Sequence, residues 1–129
     1  MRREITCLIV KPFLPPKVVV LDNYLEEFQK VVGGNIEMIP ASFREDECVI
    51  LCDEEGKMKQ PPELNRSWRD SEDKILDIIC GTFLIVAARD ENQGYSSLTE
   101  EEIKKYEKVY GKPELFYKNT QGEIVNIFV

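Results

Sequence analysis

The segment at residues 65–69, Asn-Arg-Ser-Trp-Arg, holds the side chains best suited to binding chemistry. Each of its two guanidinium groups can offer a planar pair of donors to a phosphate or a carboxylate, and the single Trp of the chain can stack on a base. Arg and Trp are also frequent in binding hot spots. The segment follows two prolines and is predicted to be an irregular loop, where binding residues are common. The predicted ligand- or partner-binding residues here are Asn65, Arg66, Trp68 and Arg69.

A structural interpretation of the same segment remains open. In that interpretation the Trp packs on a sheet edge, and the two arginines neutralise the acids at positions 70, 72 and 73. Pairs of Arg and Asp are common on protein surfaces and need no ligand to explain them.

A second candidate surface is the pair of glycines that follows the first predicted helix, in Gly33-Gly34-Asn35. Consecutive glycines at this place most often end a helix in the left-handed conformation. They also leave backbone N–H groups free to approach a ligand, because glycine has no side chain to block it. We therefore add Gly33, Gly34 and Asn35 to the predicted binding surface. The segment is not a phosphate-binding P-loop, since the Lys-Ser/Thr pair is missing.

The chain contains no His, which excludes several kinds of chemistry within it. Ser-His-Asp and Cys-His nucleophilic sites, His-metal sites and an imidazole base are all ruled out. Cys48 and Cys52 have the spacing of half a metal site, but on a strand their side chains lie about 13 Å apart. We predict that all four cysteines are reduced core residues, and that the protein binds no metal and no cofactor.

Two acids interrupt apolar segments and are the candidates for a carboxylate base. Glu37 alternates with apolar neighbours and most simply faces solvent. Asp77 is harder to expose, and a pairing with Arg66 or Arg69 would satisfy it. Structural pairing is the preferred interpretation, and an enzyme with a carboxylate general base is the weakest alternative.

Composition limits the class of protein. The 129 residues include 17 Lys+Arg and 24 Asp+Glu, so the formal net charge is −7, and 43% of the residues are hydrophobic. This length and apolar content predict one folded domain. The acidic balance argues against non-specific binding to DNA or RNA, although an acidic surface can dock on a basic protein groove. No signal peptide or membrane span is recognised, so we expect a cytoplasmic protein.

Apolar periodicity and turn residues predict the elements that position these side chains. The first helix is expected to begin at an N-cap Asn23 and to end at the glycine pair, and the second to begin at Ser97 or Thr99. The predicted strands are residues 5–10 and 18–21 as a hairpin, 36–39, 48–52 with an antiparallel return at Lys57-Met58, 82–88, and a terminal hairpin of 115–118 with 123–128.

These elements predict an α+β fold, with a mixed or antiparallel sheet, two short amphipathic helices and a C-terminal hairpin. One domain spans residues 1–129, with a core at 1–112 and a C-terminal extension at 113–129.

Four pieces of the chain together resemble a known family. They are residues 31–37 (Val-Val-Gly-Gly-Asn-Ile-Glu), 53–57 (Asp-Glu-Glu-Gly-Lys), 62–66 with its Asn-Arg, and 77–86 (Asp-Ile-Ile-Cys-Gly-Thr-Phe-Leu-Ile-Val). In their order and spacing they resemble a domain-of-unknown-function family of small proteins carried by phages, plasmids and conjugative elements of Firmicutes. The resemblance covers residues 5–108 and supplies no catalytic residues. It implies a mobile-element context, in which small non-enzymatic accessory and counter-defence proteins are common.

The sequence therefore predicts a non-enzymatic accessory protein of a phage or mobile element. It is expected to bind a host protein or a small anionic ligand such as a nucleotide, and to serve in counter-defence. One alternative is an acidic mimic of nucleic acid that inhibits a host nuclease or restriction system, and another is the carboxylate enzyme. A homo-oligomer is compatible with the sequence, and membrane binding is not expected.

Overall fold

The computed structural model describes residues 3–42, 46–90 and 94–128. Within these residues it contains ten β-strands, two α-helices and one short 3-10 helix. In chain order they are β1 (Glu4–Val10), β2 (Lys17–Asp22), α1 (Leu25–Val32), β3 (Ile36–Pro40), β4 (Cys48–Asp53), the 3-10 helix (Gly56–Met58), β5 (Leu64–Arg69), β6 (Ile75–Cys80), β7 (Phe83–Asp90), β8 (Gly94–Ser96), α2 (Glu100–Val109), β9 (Glu114–Lys118) and β10 (Ile124–Phe128).

The main sheet is antiparallel and has the strand order β2-β1-β7-β4-β3, with β8 also paired to β7. β7 lies at its centre, and its residues 83–87 are all buried. This confirms the prediction from the continuous apolar run, because only a strand covered on both faces needs apolar side chains on both. Two smaller antiparallel sheets complete the fold, β5 with β6 and β9 with β10.

A helix covers each face of the main sheet. On one face, Phe28 and Val32 of α1 pack with Leu84 and neighbouring residues. On the opposite face, Tyr106 and Tyr110 pack with a second buried cluster that includes Phe83. The predicted α+β class and the terminal hairpin are therefore present, in a fold rich in antiparallel strands.

The two helices begin differently. The prediction for α2 is confirmed, since Thr99 is the N-cap and forms a complete capping box with Glu102. The prediction for α1 was wrong, because Tyr24 is the N-cap and makes no side-chain cap bond. Asn23 instead donates its amide to the backbone oxygen of Tyr95, 2.8 Å away. Its side chain joins α1 to β8, an element that the sequence did not indicate.

The segment after β4 also differs from the prediction. Lys57 and Met58 do not return as a strand, because they lie in the 3-10 helix. β4 finds its antiparallel partners in β3 and β7 instead. A local turn signal cannot reveal this, since β3 precedes β4 and β7 follows it only after two further strands.

All four cysteines are free and buried. Cys48 and Cys52 lie at the start and near the end of β4, as predicted. Burial raises the pKa of Cys7, Cys48 and Cys52 to about 12. These thiols are therefore protonated at neutral pH, which is their unreactive form.

Candidate functional site

The segment predicted to be a binding loop is strand β5, which pairs antiparallel with β6. Asn65 and Arg66 at its start are completely buried, while Trp68 and Arg69 at its end are partly exposed. The loop prediction was wrong because the buried face of β5 is polar, so the segment lacks the apolar alternation by which strands are recognised.

Arg66 is a structural residue inside the protein. Its Nε donates to the backbone oxygen of Tyr110 at 3.0 Å, and its Nη2 donates to that of Leu14 at 2.6 Å. Its Nη1 donates to Oδ1 of Asn65 at 2.9 Å. Burial lowers the pKa of Arg66, and the nearby charge of Glu114 partly opposes this effect. The prediction that Arg66 offers its guanidinium to a ligand is thus contradicted by the geometry.

Asn65 has a similar structural role. Its side-chain amide donates to the backbone oxygens of Val10, at 3.0 Å, and Gly81, at 2.8 Å. Its Oδ1 accepts the bond from Arg66, so both N–H groups and the oxygen of the carboxamide have partners. The two residues hold β5 against β1, the turn between β6 and β7, and the end of α2.

The glycine turn is also satisfied internally. Gly33 has φ = 88° and ends α1, which confirms the predicted helix stop. However, the N–H groups of Gly33 and Gly34 both donate to the backbone oxygen of Gln29, at 2.8 and 3.1 Å. These N–H groups are therefore not available to a ligand, and the prediction that they are free was wrong.

Gly34 is required by an internal carboxylate. A Cβ at this position would lie 2.8 Å from Oδ1 of Asp53, so any other residue here would displace that carboxylate from its contacts. Asp53 is buried, pairs with Lys59 at 3.0 Å and accepts the N–H of Glu55 at 2.9 Å. The backbone oxygen of Asn35 accepts the N–H of Glu54 at 2.9 Å.

Trp68 and Arg69 line two different cavities. Trp68 donates its indole N–H to the backbone oxygen of Pro40 at 3.0 Å and lines a cavity of about 300 Å³ together with Asp53. Arg69 lines a larger groove of about 690 Å³. The predicted site residues therefore do not assemble into one surface. Asn65 and Arg66 lie inside, Gly34 and Trp68 both lie near Asp53, and Arg69 faces the groove.

The larger groove lies among β5, the β5–β6 turn, α2 and β9, and we call it the β5–α2 groove. Its cations are Arg69, Lys105 and Lys108, its carboxylates are Asp70, Asp73 and Glu114, and its hydroxyl groups belong to Ser42, Ser67, Ser71 and Tyr110. The predicted binding surface did not include the lysines of α2. Lys105 and Lys108 are three residues apart, and this spacing indicates that they share one face of the helix.

Internal contacts hold the polar groups of this groove. Nε of Arg69 donates to Oγ of Ser67 at 3.1 Å, and its Nη1 donates to the backbone oxygen of Asp73 at 2.9 Å. Lys105 pairs with Asp46, which also accepts the hydroxyl of Tyr106. Burial would raise the pKa of Asp46, but these hydrogen bonds and the ammonium charge lower it below its usual value.

The acids proposed as catalytic bases, Glu37 and Asp77, both line the smaller cavity with Trp68 and are exposed. Asp77 pairs with Lys57 rather than with Arg66 or Arg69, which corrects the predicted pairing. Glu37 lies on the edge strand β3 and faces solvent, in agreement with its simplest interpretation. In the part of the chain that the structure describes, no three Cys, Asp or Glu side chains could together hold a metal ion.

Near the start of α2, an ion-pair cluster joins Glu102 to Arg89. Burial would raise the pKa of Glu102, but hydrogen bonds from Arg89, the N–H of Thr99 and Cys48 hold it at about 2. The side chain of Glu102 is 16% exposed.

This cluster predicts a loss of stability in acid. Because the pKa of Glu102 is lower in the folded state than its usual value of 4.5, the unfolded state binds more protons than the folded state as the pH falls from 4.5 to 2. We expect Glu102 to contribute about 2 kcal/mol to the free energy of unfolding above pH 4.5, which is lost towards pH 2. Urea unfolding of wild type and Glu102→Gln across this range measures the difference. Parallel pH profiles for the two proteins would contradict the assignment.

A six-stranded antiparallel sheet with a helix on each face, and a polar groove beside one helix, defines a small α+β domain. The chain belongs to the family described as Domain of unknown function (DUF3846), whose model matches residues 5–111. The resemblance to a family of unknown function is thereby confirmed. No curated protein and no solved structure matches the chain. None of the helices in residues 3–42, 46–90 and 94–128 is long and apolar enough to span a membrane.

Proposed function

We propose that this protein is a non-enzymatic binding protein, and that the β5–α2 groove holds a small anionic ligand such as a nucleotide. The observation that carries the proposal is the convergence of three cations on one open groove of an acidic chain. Hydroxyl groups of the same groove can add hydrogen bonds to phosphate or carboxylate oxygens.

The contacts inside the groove limit the affinity. A ligand anion must compete with Asp73 for Arg69 and with Asp46 for Lys105. The carboxylates of the groove also repel it, although Glu114 and Asp70 already accept hydrogen bonds from the chain. Each charge-assisted hydrogen bond to the ligand contributes about 1.5–3 kcal/mol, and the lost internal contacts and the cost of association reduce this sum, so we expect weak binding.

The biological context belongs to the same proposal and rests on the resemblance described above. We propose that the protein serves a phage or another mobile element of Firmicutes, acts in the cytoplasm of the host bacterium, and contributes to counter-defence there. The family description supports only membership of a family of unknown function.

The two alternatives gain no support from a specific observation. Many carboxylates of the described residues are exposed, as an acidic mimic of nucleic acid requires, but exposure is usual for acidic residues and does not single out this function. As an enzyme with a carboxylate base, it would need Glu37 or Asp77 in a sheltered site, and both are exposed.

The test is a titration of the full chain with inorganic phosphate and with adenosine monophosphate, followed by amide chemical shifts. We expect shifts at Ser71, Lys105 and Lys108, and we expect the Arg69→Ala, Lys108→Ala double variant to weaken binding at least about tenfold. Lys30→Ala is the matched control, because Lys30 is exposed on α1 at the opposite face of the sheet. Unchanged affinity in the double variant would refute the groove as the site.

A further inference from the structure

The β5–α2 groove is lined by equal numbers of positive and negative side chains. Its three cations are matched by three carboxylates, and the whole chain has a formal net charge of −7. A ligand that is only an anion therefore meets no excess of positive charge in this groove. Which ligand the groove favours depends on which of the six charged groups remain available to it.

Four of the six charged groups are already engaged within the protein. Arg69 pairs with Asp73 at 3.6 Å, and Lys105 pairs with Asp46. Glu114 is 3% exposed, and both of its carboxylate oxygens accept internal hydrogen bonds. The remaining two groups are the carboxylate of Asp70 and the ammonium group of Lys108.

Asp70 and Lys108 are charges without an ionic partner. Oδ1 of Asp70 accepts the N–H groups of Glu72 and Lys74, both at 2.9 Å. Within residues 3–42, 46–90 and 94–128, neither Oδ2 of Asp70 nor the ammonium group of Lys108 has a hydrogen-bond or ion-pair partner. The groove thus offers one carboxylate oxygen and one ammonium group to a ligand.

These two available charges are held by different elements of the groove. Asp70 begins the turn between β5 and β6, and Lys108 lies in the last turn of α2. They do not pair with each other, so a ligand can lie between them and contact both. The volume of about 690 Å³ is sufficient for a small molecule.

We propose that the anionic ligand of this groove also carries an ammonium group, as aminoalkyl phosphates and acidic amino acids do. Its phosphate or carboxylate contacts Lys108, and its ammonium group donates to Oδ2 of Asp70. The inference rests on the proposed function and narrows its ligand class. A nucleotide fits less well, because it has no ammonium group with which to neutralise Asp70.

The experiment titrates the full chain with two probes that differ in the ammonium group, phosphoethanolamine and ethyl phosphate. At slightly alkaline pH both phosphates are dianions and the amine is protonated. We expect wild type to bind phosphoethanolamine at least about fivefold more tightly, although ethyl phosphate has the larger net charge. A site that recognises only the anion would show the opposite order.

Asp70→Asn tests the residue that the ammonium group contacts. Asn keeps Oδ1 for the N–H groups of Glu72 and Lys74 but loses the charge, and we expect it to abolish the preference for phosphoethanolamine. Glu72→Gln is the matched control. It removes the same charge from the same turn, at an exposed residue outside the lining of the groove, and it should keep the preference.

Three results would overturn the inference, and they separate it from the proposed function. Ethyl phosphate bound as tightly as phosphoethanolamine would show a site for anions alone and would leave the proposed function standing. A preference that survives Asp70→Asn would place the ammonium group elsewhere. If neither probe nor inorganic phosphate binds, the proposed function fails as well. The comparison of the two probes on wild type is sufficient should Asp70→Asn fail to fold.

Discussion

Replacing Arg66 with Ala should lower the free energy of unfolding by about 3–5 kcal/mol. The substitution leaves the buried backbone oxygen of Tyr110 and the partly buried backbone oxygen of Leu14 without their donors. It also leaves Oδ1 of Asn65 without the donor that Nη1 supplied. A cavity remains where the fully buried side chain lay. The loss is large because one residue satisfies three acceptors, two of which lie in distant segments of the chain.

Urea unfolding of Arg66→Ala measures this effect. Arg69→Ala is the matched control, since the same side chain is lost from the same strand at a partly exposed position, and it should cost less than about 1 kcal/mol. Arg66→Lys should recover little of the loss, because one ammonium group cannot reach three diverging acceptors. If Arg66→Ala unfolds at the urea concentration of the wild type, Arg66 does not hold these segments together.

Local sequence signals were sufficient where the structure depends on neighbouring residues. The apolar run of β7 indicated a buried strand, and Thr99 with Glu102 indicated the start of α2. Gly33 indicated the end of α1. In each case the cause of the structure lies within a few residues, so the pattern is sufficient to predict it.

The candidate site was predicted less well, because a side chain's surroundings depend on distant segments. Arg66 is buried by a loop 52 residues before it and by the end of a helix 44 residues after it. The same sequence in an open loop would expose it to a ligand. The N–H groups after α1 are likewise engaged by Gln29, which the Gly-Gly pattern does not reveal. Arg69 is the one predicted residue that lines the β5–α2 groove.

The terminal hairpin of β9 and β10 follows the family match, which ends at residue 111, yet a buried carboxylate fastens it to β5. Oε2 of Glu114 accepts the N–H of Ser67 at 2.8 Å, and Oε1 accepts the hydroxyl of Ser67 at 2.6 Å. Asn126 of β10 donates to the same Oε1 at 2.8 Å. One side chain therefore joins β5 to both strands of the hairpin.

Replacing Glu114 with Ala should lower the free energy of unfolding by about 2–4 kcal/mol, because a buried N–H and a buried hydroxyl of Ser67 lose their acceptor. Glu114→Gln should cost less, since it keeps one acceptor oxygen but places an amide donor against another donor. Urea unfolding measures both changes. Glu123→Ala, in the exposed turn of the same hairpin, is the control and should stay within about 0.5 kcal/mol of wild type. Wild-type stability of Glu114→Ala would show that the hairpin is held by its apolar contacts alone.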